Sequence, residues 1–188
     1  MKRKSDRLLA AFLVLATAAL PLVRPQPVMA STGPELNREA AAALESLYAK
    51  TPRAKELGGK AKGILVFPAI VKAGFIVGGQ YGEGALRKGG KTVAYYNTVA
   101  GSYGLQAGAQ TFGYALFFMT DSALSYLNQS GGWAIGTGPS VVVVDEGFAR
   151  SLTTTNLRSD VYAFVFNQQG LMGGVGIEGS KITQIKPN

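Results

Sequence analysis

The side chains in this sequence that are able to do chemistry are few in type. Its 188 residues include no histidine and no cysteine, which removes the commonest general bases, nucleophiles and transition-metal ligands. The one adjacent carboxylate pair, Asp145-Glu146, suits either a hard cation or a solvated turn. We favour the turn, because neighbouring side chains at a strand end point to opposite faces. The sequence therefore predicts a protein that is not an enzyme and has no cofactor and no metal.

Two phosphate-binding patterns are present only in part. Gly90-Lys91-Thr92 resembles the end of a phosphate loop, but the first glycine of that motif would fall at Ala85. Gly82 and Gly84 begin a dinucleotide pattern whose third glycine would fall at Arg87. The β-formers that follow Thr92 favour a glycine hairpin for the first stretch, and the missing third glycine leaves a dinucleotide fold unsupported for the second.

Basic residues form the most suggestive cluster. Seven of the 14 positive charges that follow residue 30 lie between residues 55 and 91, with only Glu56 and Glu83 as acids. Where the loops that carry them meet at one end of a sheet, they form a cationic rim, in which each contact with an anionic lipid headgroup is worth about 1 kcal/mol. Ordinary solvated lysines are the alternative. The seven residues, called the basic rim below, are Lys55, Lys60, Lys62, Lys72, Arg87, Lys88 and Lys91.

Glycine-rich strands must position these basic residues. Between Gly74 and Gly113, 11 of 40 residues are glycine, interleaved with large apolar β-formers. Glycine weakens an ordinary strand, so this density predicts tight bends and the close approach of other backbone. The glycines that we expect to allow bending and close packing are Gly74, Gly78, Gly82, Gly84, Gly104 and Gly108.

Periodicity and turn residues predict an α+β fold. The sheet is expected to be antiparallel and strongly curved, either open or closed into a small barrel. Helices are predicted over 35–50, over 52–58 and, between strands, over 122–128. The predicted strands are 64–67, 75–83, 91–97, 102–111, 114–119, 141–144, 161–167, 171–178 and 182–185.

Residues 1–30 have the composition of a secretory signal peptide. Basic residues precede the apolar run Leu8 to Leu20, and Val28-Met29-Ala30 offers small residues for cleavage before Ser31. Residues 31–188 are then predicted to form a single domain. Removing five basic residues and one acid leaves 14 basic and 10 acidic residues, a net charge of +4. This small excess gives little support for a nucleic-acid partner, and we expect a periplasmic protein of a Gram-negative bacterium, soluble or peripheral to a membrane.

Several motifs resemble the SYLF domain family, also called the YSC84-type or DUF500 family. They are the run 61–68, the runs 72–79 and 81–84, the run 101–108, and Val161-Tyr162-Ala163 with Gly170-Leu171. The resemblance implies a lipid-binding domain. Eukaryotic relatives associate with phosphoinositides and some fungal ones bind actin filaments, but a periplasm offers neither ligand. By this resemblance Lys62, Lys72 and Arg87 are the expected headgroup contacts, with Lys60, Lys88 and Lys91 as secondary ones.

Three functions remain open from the sequence. The first is a non-enzymatic envelope protein that binds anionic phospholipid through the basic rim, with apolar residues of the sheet or the first helix touching acyl chains. The second is a structural or scaffolding protein whose glycine-lined surface docks another envelope protein. The third and weakest is a hydrolase that uses Asp145, Glu146 or a serine.

Overall fold

The computed structural model describes residues 31–144, 158–170 and 179–188, with the side chains of 102–107 left aside. The predicted signal peptide, the Asp145-Glu146 pair and the predicted strand 171–178 lie outside the described residues. The helices are α1 (Gly33–Lys50), α2 (Pro52–Gly58) and α3 (Asp121–Ser125), which continues as a 3-10 helix, Tyr126–Asn128. The strands are β1 (Gly63–Lys88), β2 (Lys91–Phe118), β3 (Trp133–Ala134), β4 (Val141–Val144), β5 (Val161–Gly170) and β6 (Lys181–Ile185).

The predicted helices are confirmed, with small shifts at their ends. One face of α1 is buried, as its apolar spacing predicts, and carries Leu36, Ala40, Leu44 and Leu47. Thr120 caps α3, because its side-chain oxygen accepts a hydrogen bond from the backbone N–H of Ala123. The predicted short helix between strands therefore begins at its expected position.

The predicted strand divisions at Pro68 and at the glycines are wrong. β1 and β2 are single strands of 26 and 28 residues that pair antiparallel along their whole length. Pro68 is tolerated because it lies in a register shift between Phe67 and Ile70, where no regular ladder bond needs its missing N–H. One long hairpin thus replaces five predicted strands, and its turn at Gly89-Gly90 is as predicted.

This hairpin folds back on itself, because the two halves of β1 lie against each other. A β-carbon on Gly82 would fall 2.7 Å from Ile70 Cγ1, and one on Gly84 would fall 2.6 Å from the Val66 carbonyl oxygen. Only glycine permits such an approach. The first half of β1 therefore runs from Gly63 to a bend, and the second half runs back beside it toward Gly63.

The sheet is a strongly curled half-barrel in the order β3-β6-β2-β5-β4, with β1 paired to β2. One part of β2 (residues 95–99) pairs with β6 and another (residues 110–118) with β5. The pairing of β4 with β5 is parallel, so the sheet is mixed where a purely antiparallel one was expected. The α+β class and the curvature are confirmed.

Two apolar cores hold the sheet in this shape. The inner core lies within the curl and includes Phe67, Tyr96, Phe118 and Trp133. The outer core packs α1 and α2 on the sheet through residues such as Leu44, Phe117 and Phe164, and the last two rings meet edge to face at 5.0 Å. The bend of the long hairpin extends beyond both cores.

Candidate functional site

The most unusual surface of the molecule is the apolar bend of β1. Phe75, Ile76 and Val77 are consecutive, and they are 75%, 43% and 64% exposed. Large apolar side chains scattered singly on a surface are ordinary, whereas a contiguous exposed group marks a contact with a membrane, a ligand or a protein. We call these three residues the apolar tip.

Backbone geometry explains why the apolar tip protrudes. Ile76 has a φ of +65°, and the register shifts between Phe75 and Val77. The flanking Gly74 and Gly78 touch, so that no β-carbon fits on Gly74. A β-branched residue in the left-handed region is strained. This strained conformation places the apolar side chain of Ile76 at the outermost point of the bend.

An apolar groove of about 570 Å³ lies between this end of β1 and the start of α1. Ligand pockets commonly have volumes of about 300–1,000 Å³. The groove is lined by Ser31, Leu36, Glu39, Pro68, Ala69, Val71, Ala73, Gly79, Gln80, Tyr81, Gly82, Glu83, Val99 and Ala100. Alternate side chains of a strand share a face, so the face of Val71 and Ala73 continues to Phe75. The groove and the apolar tip therefore adjoin along one strand face.

Sequence reasoning expected apolar residues of the sheet or the first helix to touch acyl chains, but it did not locate the groove or the apolar tip. The alternation Val71, Ala73, Phe75 was visible in the sequence as a strand pattern. Such a pattern normally predicts a buried face. No local signal shows that the chain turns back at Ile76 and leaves the face uncovered.

Two carboxylates give the groove its electrostatic character. Glu83 accepts hydrogen bonds from the Tyr81 hydroxyl at 2.6 Å and from the Ser31 backbone N–H at 3.2 Å. Burial, and then the hydrogen bond to and the charge of Glu83, raise the pKa of Tyr81 to about 12. Burial, and then the nearby Glu35, raise the pKa of Glu39. Within the described part of the chain, no lysine or arginine lines the groove.

The structure brings a large part of the basic rim together. Ala61, Arg87, Gly89 and Gly90 line one cavity, so the segment before β1 and the hairpin turn meet at one end of the sheet. Lys60, Lys62, Lys88 and Lys91 are exposed on these two segments, and Lys55 is exposed on α2. Lys62 faces Asp121 at 3.9 Å, with both side chains solvated, a pair worth little in stability.

Arg87 has a structural role in this end of the sheet. Its guanidinium donates hydrogen bonds to the Gly90 carbonyl oxygen at 2.7 Å and to Asn37 Oδ1 at 3.1 Å. These contacts tie the hairpin turn to α1 and occupy part of the guanidinium's donor capacity. Among the expected headgroup contacts, Arg87 is therefore the one held most firmly within the fold.

Lys72 lies apart from the rest of the basic rim. It pairs with Gln110 across β2 and is half-buried. It is three positions before Phe75 and ten positions after Lys62, which directly precedes β1. At about 3.3 Å per residue, ten residues span up to about 33 Å. The structure therefore places Lys72 toward the apolar tip.

The predicted structural glycines have different surroundings. Gly74, Gly82 and Gly84 each lie where a β-carbon would meet other backbone. Gly78 touches Gly74, and Gly108, opposite Gly74 in the ladder, has a φ of +133°. Gly104 is in β2, among the residues whose side-chain surroundings are not described.

The hairpin turn shows that Gly90-Lys91-Thr92 is not part of a phosphate loop. Gly89 and Gly90 have φ values of +54° and +78°, and β2 begins directly at Lys91. A strand therefore stands where a phosphate loop requires a helix. Among the described residues, no group of three or more acidic side chains is arranged to hold a metal ion, and no helix is long and apolar enough to cross a membrane.

A comparison with models of known protein families identifies part of this chain. Residues 99–187 match the family model Ysc84, which is described as Las17-binding protein actin regulator. The chain carries a Ysc84 domain. No curated protein matches the chain.

The Ysc84 match begins inside β2 and includes β3 to β6. It confirms the family that the sequence motifs indicated, which is also known as the SYLF domain. β1 precedes the matched residues but pairs with β2 over its full length. The apolar tip and most of the groove are therefore part of the same sheet as the Ysc84 segment, although they lie before it in sequence.

Proposed function

We propose that this protein is a non-enzymatic, exported envelope protein that binds anionic phospholipid membranes. The apolar tip enters the acyl layer, and basic residues attract the anionic headgroups. The observation that carries the proposal is the exposure of Phe75, Ile76 and Val77 at the outermost bend of the long hairpin. The Ysc84 family assignment supports it, since this family is associated with lipid binding and with protein interaction.

The energy available from the apolar tip is sufficient for reversible membrane binding. Full burial of a phenylalanine or valine side chain is worth about 1.5–3 kcal/mol. The backbone on either side of Ile76 is paired in the ladder, with Phe75 opposite Ala107 and Val77 opposite Tyr103. Paired backbone groups enter a lipid interface at lower cost than unpaired ones.

The basic rim contributes mainly attraction at a distance. Lys60, Lys62, Lys88 and Lys91 lie at the end of the sheet opposite the apolar tip. Charges are screened over about 10 Å in 0.1 M salt. When only the apolar tip touches the membrane, Lys72 is therefore the basic residue near the headgroups. When the long hairpin lies flat on the membrane, the basic rim also reaches the headgroups.

Flotation with phosphatidylglycerol vesicles tests the proposal. We expect the protein without residues 1–30 to float with these vesicles and to bind phosphatidylcholine vesicles more weakly. Phe75→Ser should lower binding by roughly 10- to 100-fold. Val93→Ser is the matched control, because Val93 is 54% exposed on β2 away from the tip. Absence of wild-type flotation at low and high salt would overturn the proposal.

A quadruple variant measures the part played by the basic rim. Lys60, Lys62, Lys88 and Lys91 are exposed, so changing all four to glutamine preserves the fold. Contact of these residues with the membrane predicts a large loss of binding at low salt, because each basic residue near an anionic surface is worth about 1 kcal/mol. Contact through the tip alone predicts a small loss.

A scaffolding role is the second candidate function. The Ysc84 family is described as Las17-binding protein actin regulator, and an exposed apolar group also suits a protein partner. Crosslinking in cells followed by purification separates the two functions. A stoichiometric protein partner that is lost in Phe75→Ser, with no co-purified lipid, would favour scaffolding.

A further inference from the structure

We infer that the apolar groove holds one acyl chain of a phospholipid with an ethanolamine headgroup, whose ammonium lies against Glu39. The inference rests on the proposed lipid binding, but it assigns a second site with a different headgroup preference. The groove is lined by Leu36, Val71, Ala73, Val99 and other apolar residues. An alkyl chain is the simplest ligand for such a lining.

The chain has an open route into the groove. Val71 is 47% exposed and Tyr81 is 41% exposed, and both line the groove. The face that carries Val71 continues along β1 to Phe75 in the apolar tip. A lipid chain at the surface where the tip sits is therefore next to the groove's apolar face.

Charge complementarity selects the headgroup. Among the described residues, the lining contains two carboxylates and no lysine or arginine. A phosphatidylglycerol headgroup brings only negative charge to these carboxylates, whereas an ethanolamine headgroup also brings a terminal ammonium. The two carboxylates therefore repel the first lipid and attract the second.

Glu39 is the carboxylate open to a headgroup ammonium, because it is exposed at the edge of the groove. Glu83 already accepts two hydrogen bonds, from Tyr81 and from the Ser31 nitrogen. Cleavage before Ser31, as the sequence predicts, converts that nitrogen to an ammonium that pairs with Glu83. Glu39 then remains as the groove carboxylate that meets the headgroup ammonium. Burial and then the charge of Glu35 raise the pKa of Glu39, and the charge of Arg38 lowers it.

Titration with monomeric lysolipids tests the site apart from any bilayer. The probes are lysophosphatidylethanolamine and lysophosphatidylglycerol with the same acyl chain, below their micelle concentrations. Native mass spectrometry and calorimetry measure binding to the protein without residues 1–30. We expect a preference for the ethanolamine lipid of roughly three- to tenfold. Equal or tighter binding of the glycerol lipid would overturn the headgroup assignment.

Glu39→Gln tests the carboxylate directly. It should reduce the preference for the ethanolamine lipid to about one, because it removes the charge and keeps the shape. Glu45→Gln is the matched control, since Glu45 lies on α1 but outside the groove lining. An unchanged preference in Glu39→Gln would contradict the assignment.

Val71→Trp tests the location by filling the groove. We expect it to lower binding of both lysolipids at least tenfold, and Ala73→Trp to do the same. Val143→Trp is the control, because Val143 is 46% exposed on β4, away from the groove. Wild-type binding by both filled variants would place the lipid elsewhere and overturn the inference.

The same variants separate this inference from the proposed function. Val71→Trp keeps the apolar tip and the basic rim, so it should still float with phosphatidylglycerol vesicles. Lysolipid binding without flotation would leave the groove assignment standing and remove bilayer docking. Flotation without lysolipid binding would do the reverse.

Discussion

At the scale of single residues, the fold depends on glycines at the contact between the two halves of β1. Gly82 is the clearest case, since an added β-carbon would lie 2.9 Å from the carbonyl oxygen of Ala69 and 2.7 Å from Ile70 Cγ1. The carbonyl oxygen is part of the β1 backbone, which cannot move aside as the end of a flexible side chain could. The size of the residue at position 82 therefore decides whether β1 folds back.

Gly82→Ala should lower the free energy of unfolding by about 1–3 kcal/mol, because the extra methyl group overpacks the contact. Gly101→Ala is the control, as nothing lies within 4 Å of a β-carbon there, and its change should stay within about 0.5 kcal/mol. Denaturant unfolding measures both. Equal effects of the two substitutions would contradict the close contact.

Tyr81 supplies a pH-dependent contribution to stability. Burial and Glu83 raise its pKa from 10.0 to about 12. The folded state thus favours the neutral phenol, so this contribution is fully present below pH 10 and is lost as the pH rises through about 12. The difference between wild-type and Tyr81→Phe phenolate absorbance should show one group that titrates near 12.

Glu83→Gln checks the cause of that shift. It removes the charge that opposes phenolate formation, so the Tyr81 midpoint should move down toward 10. An unchanged midpoint would mean that burial alone is responsible.

At the scale of elements, the bend of β1 exposes an apolar surface and lowers the stability of the fold. Ile76 has a positive φ, which costs an L-residue with a branched β-carbon about 1–2 kcal/mol. Asn167, the other non-glycine residue with positive φ in the described part of the chain, is of a type that tolerates this conformation. Isoleucine at position 76 is therefore explained by the apolar surface that its side chain exposes, because the backbone conformation there is unfavourable for it.

Ile76→Asn should raise the free energy of unfolding by about 1 kcal/mol and at the same time weaken membrane binding. Val77→Asn, at a residue without positive φ, should weaken binding with no gain in stability. Thermal unfolding and vesicle flotation of the two variants give both quantities. A loss of stability in Ile76→Asn would contradict this expectation, because it would show that the isoleucine side chain makes stabilising contacts at the bend.

Element types were predictable from the sequence, but the continuity of the strands was not. Helix α1 and the Gly89-Gly90 turn follow from local spacing and turn chemistry. Pro68 predicted a strand end, yet a bulge places it where its missing N–H does no harm. Whether a proline or glycine ends a strand depends on its partner strand, which local sequence does not specify.

The candidate site was predictable only where charge was the signal. The sequence left open whether the lysines around Ala61 and Gly90 meet at one end of the sheet, and the structure places their segments together there. Lys72 belongs to the same sequence cluster but lies toward the apolar tip. The groove arises from the contact of α1 with a strand that turns back, so its lining comes from residues distant in sequence.

At the scale of the whole molecule, three surfaces lie in order along the long hairpin. The apolar tip is at the bend, the groove follows it beside α1, and most of the basic rim is at the opposite end. This order separates insertion, single-chain binding and electrostatic attraction in space. Each is therefore open to separate mutation.

The central claim is that the apolar tip enters the membrane, and site-specific labelling tests it most directly. Because the chain has no cysteine, Val77→Cys provides a single attachment point for an environment-sensitive fluorophore, and Val143→Cys provides the control. On phosphatidylglycerol vesicles, the label at residue 77 should shift to an apolar emission and be quenched by lipid-borne quenchers. The label at residue 143 should remain aqueous. A label at residue 77 that stays aqueous while the protein is bound to vesicles would contradict the claim.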